Sequence, residues 1–112
     1  MTIDELVKKS DFTDADFIEK IEIGSKQVYD KTEELKKSKY DTLAEGIRQE
    51  CKILKDFLDY VFGDGTSEEL FKGKDSIFLC YKAFEDIINE KNRQAKMIEE
   101  LANKYSPKRV QR

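Results

Sequence analysis

TLAEGIRQECKILKDFLDYVFGDGT, residues 42–66, decides the fold. Its apolar residues Leu43, Ile47, Cys51, Leu54, Leu58 and Val61 fall three or four apart. That is the repeat of a helix burying one face. Thr42 with Glu45 reads as a capping box at its start: the hydroxyl accepts an orphan backbone N–H while the carboxylate reaches back. Asp41 competes for the cap. Gly63-Asp64-Gly65 ends the run, with Gly63 the natural residue for a left-handed terminator. One helix from about Thr42 to Phe62, then a sharp turn, is the prediction.

The same repeat continues on both sides. Upstream, Phe17, Ile21, Gly24, Val28 and Leu35 mark a helix between about Asp14 and Ser38, and Thr13 precedes Asp14 and Asp16, which suit the positive end of a helix dipole. Downstream, Ile77, Cys80, Phe84, Ile87, Ile98 and Leu101 mark another between about Ser76 and Lys104, capped by Asp75 or Ser76. Thr2 with Glu5 and Thr66 with Glu69 read as further capping boxes, each opening a short helix. Gly73 ends the second short helix, Lys39-Tyr40-Asp41 is a weaker break, and Pro107 stops the last long helix. Strand-like alternation is absent at useful length.

The expected fold is therefore all-α: an elongated bundle of two or three long antiparallel helices plus short helices. It forms a single helical domain over residues 1–105 with a basic tail at 106–112. Length supports the elongation. Helices of roughly 25 and 29 residues span about 37 and 43 Å, more than the width of a compact domain this small. Lys91 to Lys96 is nearly all polar, so the last helix is expected to leave the bundle there.

Composition bounds the chemistry. The chain has 112 residues, one domain by length, with 40% charged and 38% hydrophobic residues. Mean hydropathy is -0.73. No apolar run approaches the roughly 20 residues of a spanning helix. The N-terminus Met1-Thr2-Ile3-Asp4-Glu5 lacks the apolar stretch of a signal peptide, which reads as a cytoplasmic protein. Histidine is absent, which removes His general bases, His-paired nucleophiles and His metal ligands. Net charge is -3 and pI about 5.1, against a nucleic-acid binder, which is usually basic. No catalytic residue, cofactor or metal ligand emerges, and the expectation is a protein that works by binding.

The motifs that resemble catalytic ones fail on chemistry. Gly63-Asp64-Gly65 and Gly73-Lys74 only superficially suggest a phosphate loop: the Walker pattern needs a Gly where Glu68 stands and a Ser or Thr where Asp75 stands. Gly63, Gly65 and Gly73 read instead as structural turn residues. Glu19-x-x-Glu22 and Asp56-x-x-Asp59 suggest a metal-dependent all-α nucleotide pyrophosphatase. At about 100° per residue, however, Glu19 and Asp56 fall nearly opposite the apolar stripes of their helices. Cys51 and Cys80 lie on stripes and read as core residues. Lys108, Arg109 and Arg112 read as a solvated basic end, and without them the remaining residues carry -6.

The aromatics cluster in the middle of the chain and serve either as core or as interface anchors. The candidate protein-interface residues are Tyr60, Phe62, Phe71 and Tyr81, together with Ile98, Leu101 and Tyr105 at the end of the last helix. That end gains little alone, since packing supplies most helix stability; another protomer or a client would cover it, and self-association into a homo-oligomer is expected.

One resemblance reaches further. DFLDYVFGDGT at 56–66 leads into Leu70-Phe71-Lys72-Gly73, and the chain closes with NKYSPKRVQR at 103–112. This pairing resembles small tail-region proteins of siphophages and prophages of Gram-positive bacteria, many regarded as tail assembly chaperones or as uncharacterised tail proteins. The resemblance covers about half the chain. It implies a non-catalytic protein of the host cytoplasm that binds tail tube or tape-measure protein before assembly, with no nucleic acid and no membrane partner. The alternative is a generic helical adaptor or regulator.

Overall fold

The computed structural model describes residues 1–106. They form five helices: α1 (Ile3–Lys8), α2 (Ala15–Lys36), α3 (Leu43–Phe62), α4 (Thr66–Phe71) and α5 (Ile77–Lys104). The class is all-α, as the periodicity predicts. α5 ends three residues before Pro107; that proline and the basic residues Lys108, Arg109 and Arg112 lie outside the described residues.

Local chemistry sets most helix starts. The Thr2 hydroxyl accepts from the Glu5 N–H at 3.2 Å, Thr42 from Glu45 at 3.1 Å, and Ser76 from Leu79 at 3.4 Å. Each satisfies a donor that the helix itself leaves orphaned. Two starts differ from expectation. At α2 the cap is Asp14, which accepts from Phe17 at 3.0 Å; Thr13 is held in a turn, its N–H donating to Asp11 at 2.9 Å. At α4 the box of Thr66 with Glu69 does not form. Thr66 donates its hydroxyl back to the Gly63 carbonyl at 2.7 Å, and Asp59 on α3 accepts from the Ser67 N–H at 2.8 Å and its hydroxyl at 3.0 Å. The neighbouring helix supplies the acceptor that α4 lacks.

The Gly turn also differs in detail. Gly63 has φ 113° and ψ 153°, an extended positive-φ conformation open essentially to glycine alone, rather than the left-handed helical terminator. Gly65 and Gly73 also have positive φ, 89° and 78°. This turn lets α4 double back beside α3.

α2 and α3 form an antiparallel hairpin. Phe17 packs edge-to-face on Phe62 at 5.6 Å, while farther along α2 the bare Cα of Gly24 lies under Phe57 and Tyr60. α5 then runs in the same sense as α3: Glu50 meets Tyr81 and Phe57 meets Phe84, so the paired numbers rise together. The doubling back of α4 causes this. Against α2, α5 is antiparallel.

The core is shared by Phe12, Ile21 and Val28, by Cys51, Leu54, Phe57, Leu58 and Val61, and by Cys80, Ala83, Phe84 and Ile87. Leu43, expected on the α3 stripe, is 82% exposed. Cys80, one turn into α5, lies beside Cys51, so Leu43, about two turns earlier on α3, lies short of the start of α5, and Tyr40 packs on that first turn at Gly46. The molecule measures 64 × 32 × 20 Å with a radius of gyration of 17.2 Å, against about 13 Å for a compact chain of this length.

Candidate functional site

The seven interface candidates fall into two groups. Phe62, Phe71 and Tyr81 are half-buried at the edge of the core. Phe71 sits under the Lys55 ammonium, 5.8 Å from the ring centre, and Lys55 is itself held by Asp75 at 2.6 Å. Tyr81 donates its hydroxyl to Glu50 at 3.1 Å. Its pKa is raised, first by burial and then by that carboxylate. Tyr60 is exposed at the edge of the α2–α3 seam, its ring beside Gly24 of α2. These four residues are not brought together.

Ile98, Leu101 and Tyr105 are brought together, on one row of α5. Positions 80, 84, 87, 91, 94, 98, 101 and 105 alternate steps of four and three, which is one continuous heptad stripe. Cys80, Phe84 and Ile87 on that stripe are buried. Lys91 and Gln94 are half-buried. Ile98, Leu101 and Tyr105 are 42%, 58% and 71% exposed, and Met97 beside them is 50% exposed. The stripe that builds the core thus runs off the end of the bundle uncovered, past the polar stretch where the sequence places the exit.

Phe62, Tyr81 and Phe71 each line an open cleft. Phe62 lines one of about 540 Å³ with Phe17, Val61, Asp11, Asp14 and Glu69. Tyr81 lines another of about 650 Å³ along α5, with Ile77, Phe78, Lys82, Glu85 and Asp86. Phe71 lines the third, about 280 Å³, between α1, α4 and α5, with Met1, Ile3, Leu70, Leu79 and Ala83 as its apolar wall and Lys82 beside them. Sequence reasoning missed Met1, Ile3, Leu70, Leu79 and Ala83 as a group. Their signal is faint, because three short stretches far apart in the chain each supply one or two residues.

The remaining motifs are structural. Cys51 and Cys80 are free and buried. Burial, followed by the Cys51 sulfur beside it, pushes the Cys80 thiol up to about 12, and burial also raises Cys51. A thiol so placed carries little nucleophilic thiolate. Glu19 and Glu22 are exposed, Asp56 pairs with Lys52 at 3.1 Å, and Asp59 caps α4. Among the described residues no group of three or more His, Cys, Asp or Glu side chains is gathered to hold a metal. No helix among them is long and apolar enough to cross a membrane.

A sequence family of unknown function, DUF6673, matches residues 4–112. The chain belongs to that family. The match takes in all of α2 to α5, including the far half of α5, and leaves Met1 and Ile3 of the Phe71 cleft outside it. No curated protein and no solved structure matches the chain.

Proposed function

We propose that the protein is a non-catalytic binding protein that holds an apolar segment of a phage or prophage tail tube or tape-measure protein, in the host cytoplasm, before assembly. The observation that carries the reading is the cleft around Phe71. Its wall of Met1, Ile3, Leu70, Phe71, Leu79 and Ala83 is apolar, with Lys82 as the basic group beside it. At about 280 Å³ it lies at the small end of small-molecule pockets, which run from roughly 300 to 1,000 Å³. That size suits one or two large apolar side chains. Such a site fits an amphipathic segment with apolar anchors and an acidic neighbour, since a groove reads the apolar face of a helix. The identity of the client rests on the sequence resemblance of residues 56–66, 70–73 and 103–112.

The test is co-expression with the tail tube and tape-measure proteins encoded beside the gene, followed by affinity capture. One of the two is expected to co-purify. Leu79→Asp, at an exposed position on the cleft wall, is expected to abolish capture while leaving the melting temperature unchanged. Capture of neither protein, or capture indifferent to Leu79→Asp, overturns the reading.

A further inference from the structure

We propose that α1 is a displaceable strap: it lies in a trough along α5 that takes the amphipathic helix of a partner, and it leaves that trough when the partner binds. The inference deepens the reading of the Phe71 cleft as a binding site and rests on it for the partner, not for the release of α1. Its first ground is the way α1 is held. Among the described residues, the hydrogen bonds of residues 1–10 all close within that segment. The Leu6 N–H donates to the Thr2 carbonyl at 3.1 Å, Lys9 to Glu5 at 3.2 Å and Ser10 to Val7 at 3.2 Å, while the Glu5 N–H and the Ser10 hydroxyl also find partners inside it. None of the salt bridges involves it. α4 is equally short, six residues, yet Asp59 of α3 accepts two bonds from its Ser67. Six residues fall well below the roughly 12–15 at which a helix persists alone, so α1 stands only on its packing. Leu6 is its one buried side chain and lies outside the main core cluster, against which Ile3 and Val7 are half-buried. Phe12 belongs to that core and packs edge-to-face on Phe17 at 5.1 Å. The chain is anchored at Phe12, and α1 can leave without it.

The second ground is that the trough exceeds the strap. α1 is about 9 Å long. Its neighbours on α5 run from Leu79 and Ala83, which share a cleft with Ile3, to Glu90 and Gln94, which share one with Val7. That stretch of α5 is about 22 Å long. Open space remains around α1: about 280 Å³ at its start, about 540 Å³ towards α3 and α4 and about 390 Å³ towards α5. α1 supplies a wall to all three clefts. With α1 lifted they join, and Val61, Phe62, Leu70, Phe71, Leu79 and Ala83 supply the apolar surface.

The third ground is the segment already seated there, which states what the trough accepts. α1 brings Ile3, Leu6 and Val7, spaced i, i+3 and i+4, the face by which an amphipathic helix enters a groove. Its first turn carries Asp4 and Glu5. Asp4 shares its cleft with Arg93, and the start of α1 shares its cleft with Lys82. The partner is therefore an amphipathic helix of about four turns, apolar at the same spacing, acidic towards its N-terminus and running with α5 as α1 does. Its greater length supplies the contact that displaces a tethered competitor.

Hydrogen exchange of the full chain tests the release. The Leu6 and Lys9 amides are expected to exchange at least about hundredfold faster than those of Leu54 and Leu58, through opening of α1 alone. The trough is tested with a synthetic peptide of residues 1–10, titrated by NMR into the parent and into Leu6→Asp. Leu6→Asp is expected to keep the exchange protection of α2–α5. It is expected to bind the peptide at least about tenfold more tightly than the parent, whose own α1 competes at high effective concentration. Leu79→Asp added to Leu6→Asp is expected to abolish that binding. The proposal is overturned by α1 amides that exchange as slowly as the core, by loss of α2–α5 protection in Leu6→Asp, or by a peptide that binds both chains equally or neither. Capture of the tail proteins is read separately. Stronger capture by Leu6→Asp than by the parent supports strap and client together, and weaker capture overturns the strap. If neither chain captures a tail protein while the peptide result holds, the client reading falls and the strap stands.

Discussion

The two halves of α5 carry the same stripe and meet opposite fates. In the near half, where α5 packs mainly on α3 and α1, Cys80, Ala83, Phe84 and Ile87 are buried; in the far half Ile98 and Leu101 stand open. The break falls at Glu90–Gln94. There Arg93 donates to Glu90 at 2.6 Å, Gln94 donates to the same carboxylate at 2.8 Å, and these bonds hold Glu90 below its ordinary pKa. α1 reaches this point too, Asp4, Val7 and Lys8 sharing a shallow cleft with Glu90, Arg93 and Gln94. Periodicity therefore marks a face that wants cover. Which cover it receives depends on how far the neighbouring helices extend, and that is a property of the whole chain.

The sharpest way to break the comparison is to make the same truncation in each half. Ile87 is fully buried, so Ile87→Ala is expected to cost about 2–5 kcal/mol, the transfer of the lost methyl groups plus the cavity they leave. Denaturant titration measures it. A loss below about 1 kcal/mol would mean that the near half is no better covered than the far half.

Alkaline titration sharpens the comparison next, because the near half of α5 holds a buried thiol and the far half holds none. The Cys80 thiol is raised from 9.0 to about 12 by burial, so the folded state keeps a proton that the unfolded state releases. The neutral thiol contributes its full stability below pH 9.0 and loses it as the pH rises through about 12. The slope is at most about 1.4 kcal/mol per pH unit for one group. Tyr81, also raised, acts in the same direction. Unfolding midpoints measured upward from pH 9 are expected to fall, and to fall less steeply in Cys80→Ala. A midpoint flat to pH 11 would mean that water reaches the thiol.

The turn that launches α4 and α5 comes third. Gly63 at φ 113° and ψ 153° occupies backbone space that side chains disfavour, although a Cβ there would meet nothing within 4 Å. Gly63→Val is expected to cost about 1–3 kcal/mol from backbone strain alone, visible as a lower melting temperature. A parent-like melt would show that the turn tolerates another conformation.

These cases also show what was legible in the sequence. Caps at Thr2, Thr42 and Ser76 and the turn glycines were legible because each depends on residues within a few positions. The exit of α5 near Lys91 was legible because polar residues interrupt its stripe. The cap that Asp59 gives Ser67 was not, since it needs α4 folded back on α3. That same reversal, invisible to periodicity, makes α5 run with α3 and leaves Leu43 exposed. Of the interface candidates, the row Ile98, Leu101 and Tyr105 was readable as a helical repeat. The Phe71 cleft was not, because Met1, Ile3, Leu79 and Ala83 meet only through tertiary packing.

The smallest expected effect closes the comparison from the far side. Leu101→Ala removes as many side-chain carbons as Ile87→Ala, yet Leu101 is 58% exposed. Its methyl groups already meet water in the monomer, so little transfer free energy is lost, and there is no cavity to leave behind. Alanine is moreover the better helix former, by a few tenths of a kcal/mol at an exposed site. At concentrations low enough to hold the chain monomeric, the change in unfolding free energy is expected to stay within about 0.5 kcal/mol of zero. A deficit above about 1 kcal/mol would show that Leu101 is covered within its own chain, and the contrast between the two halves of α5 would vanish.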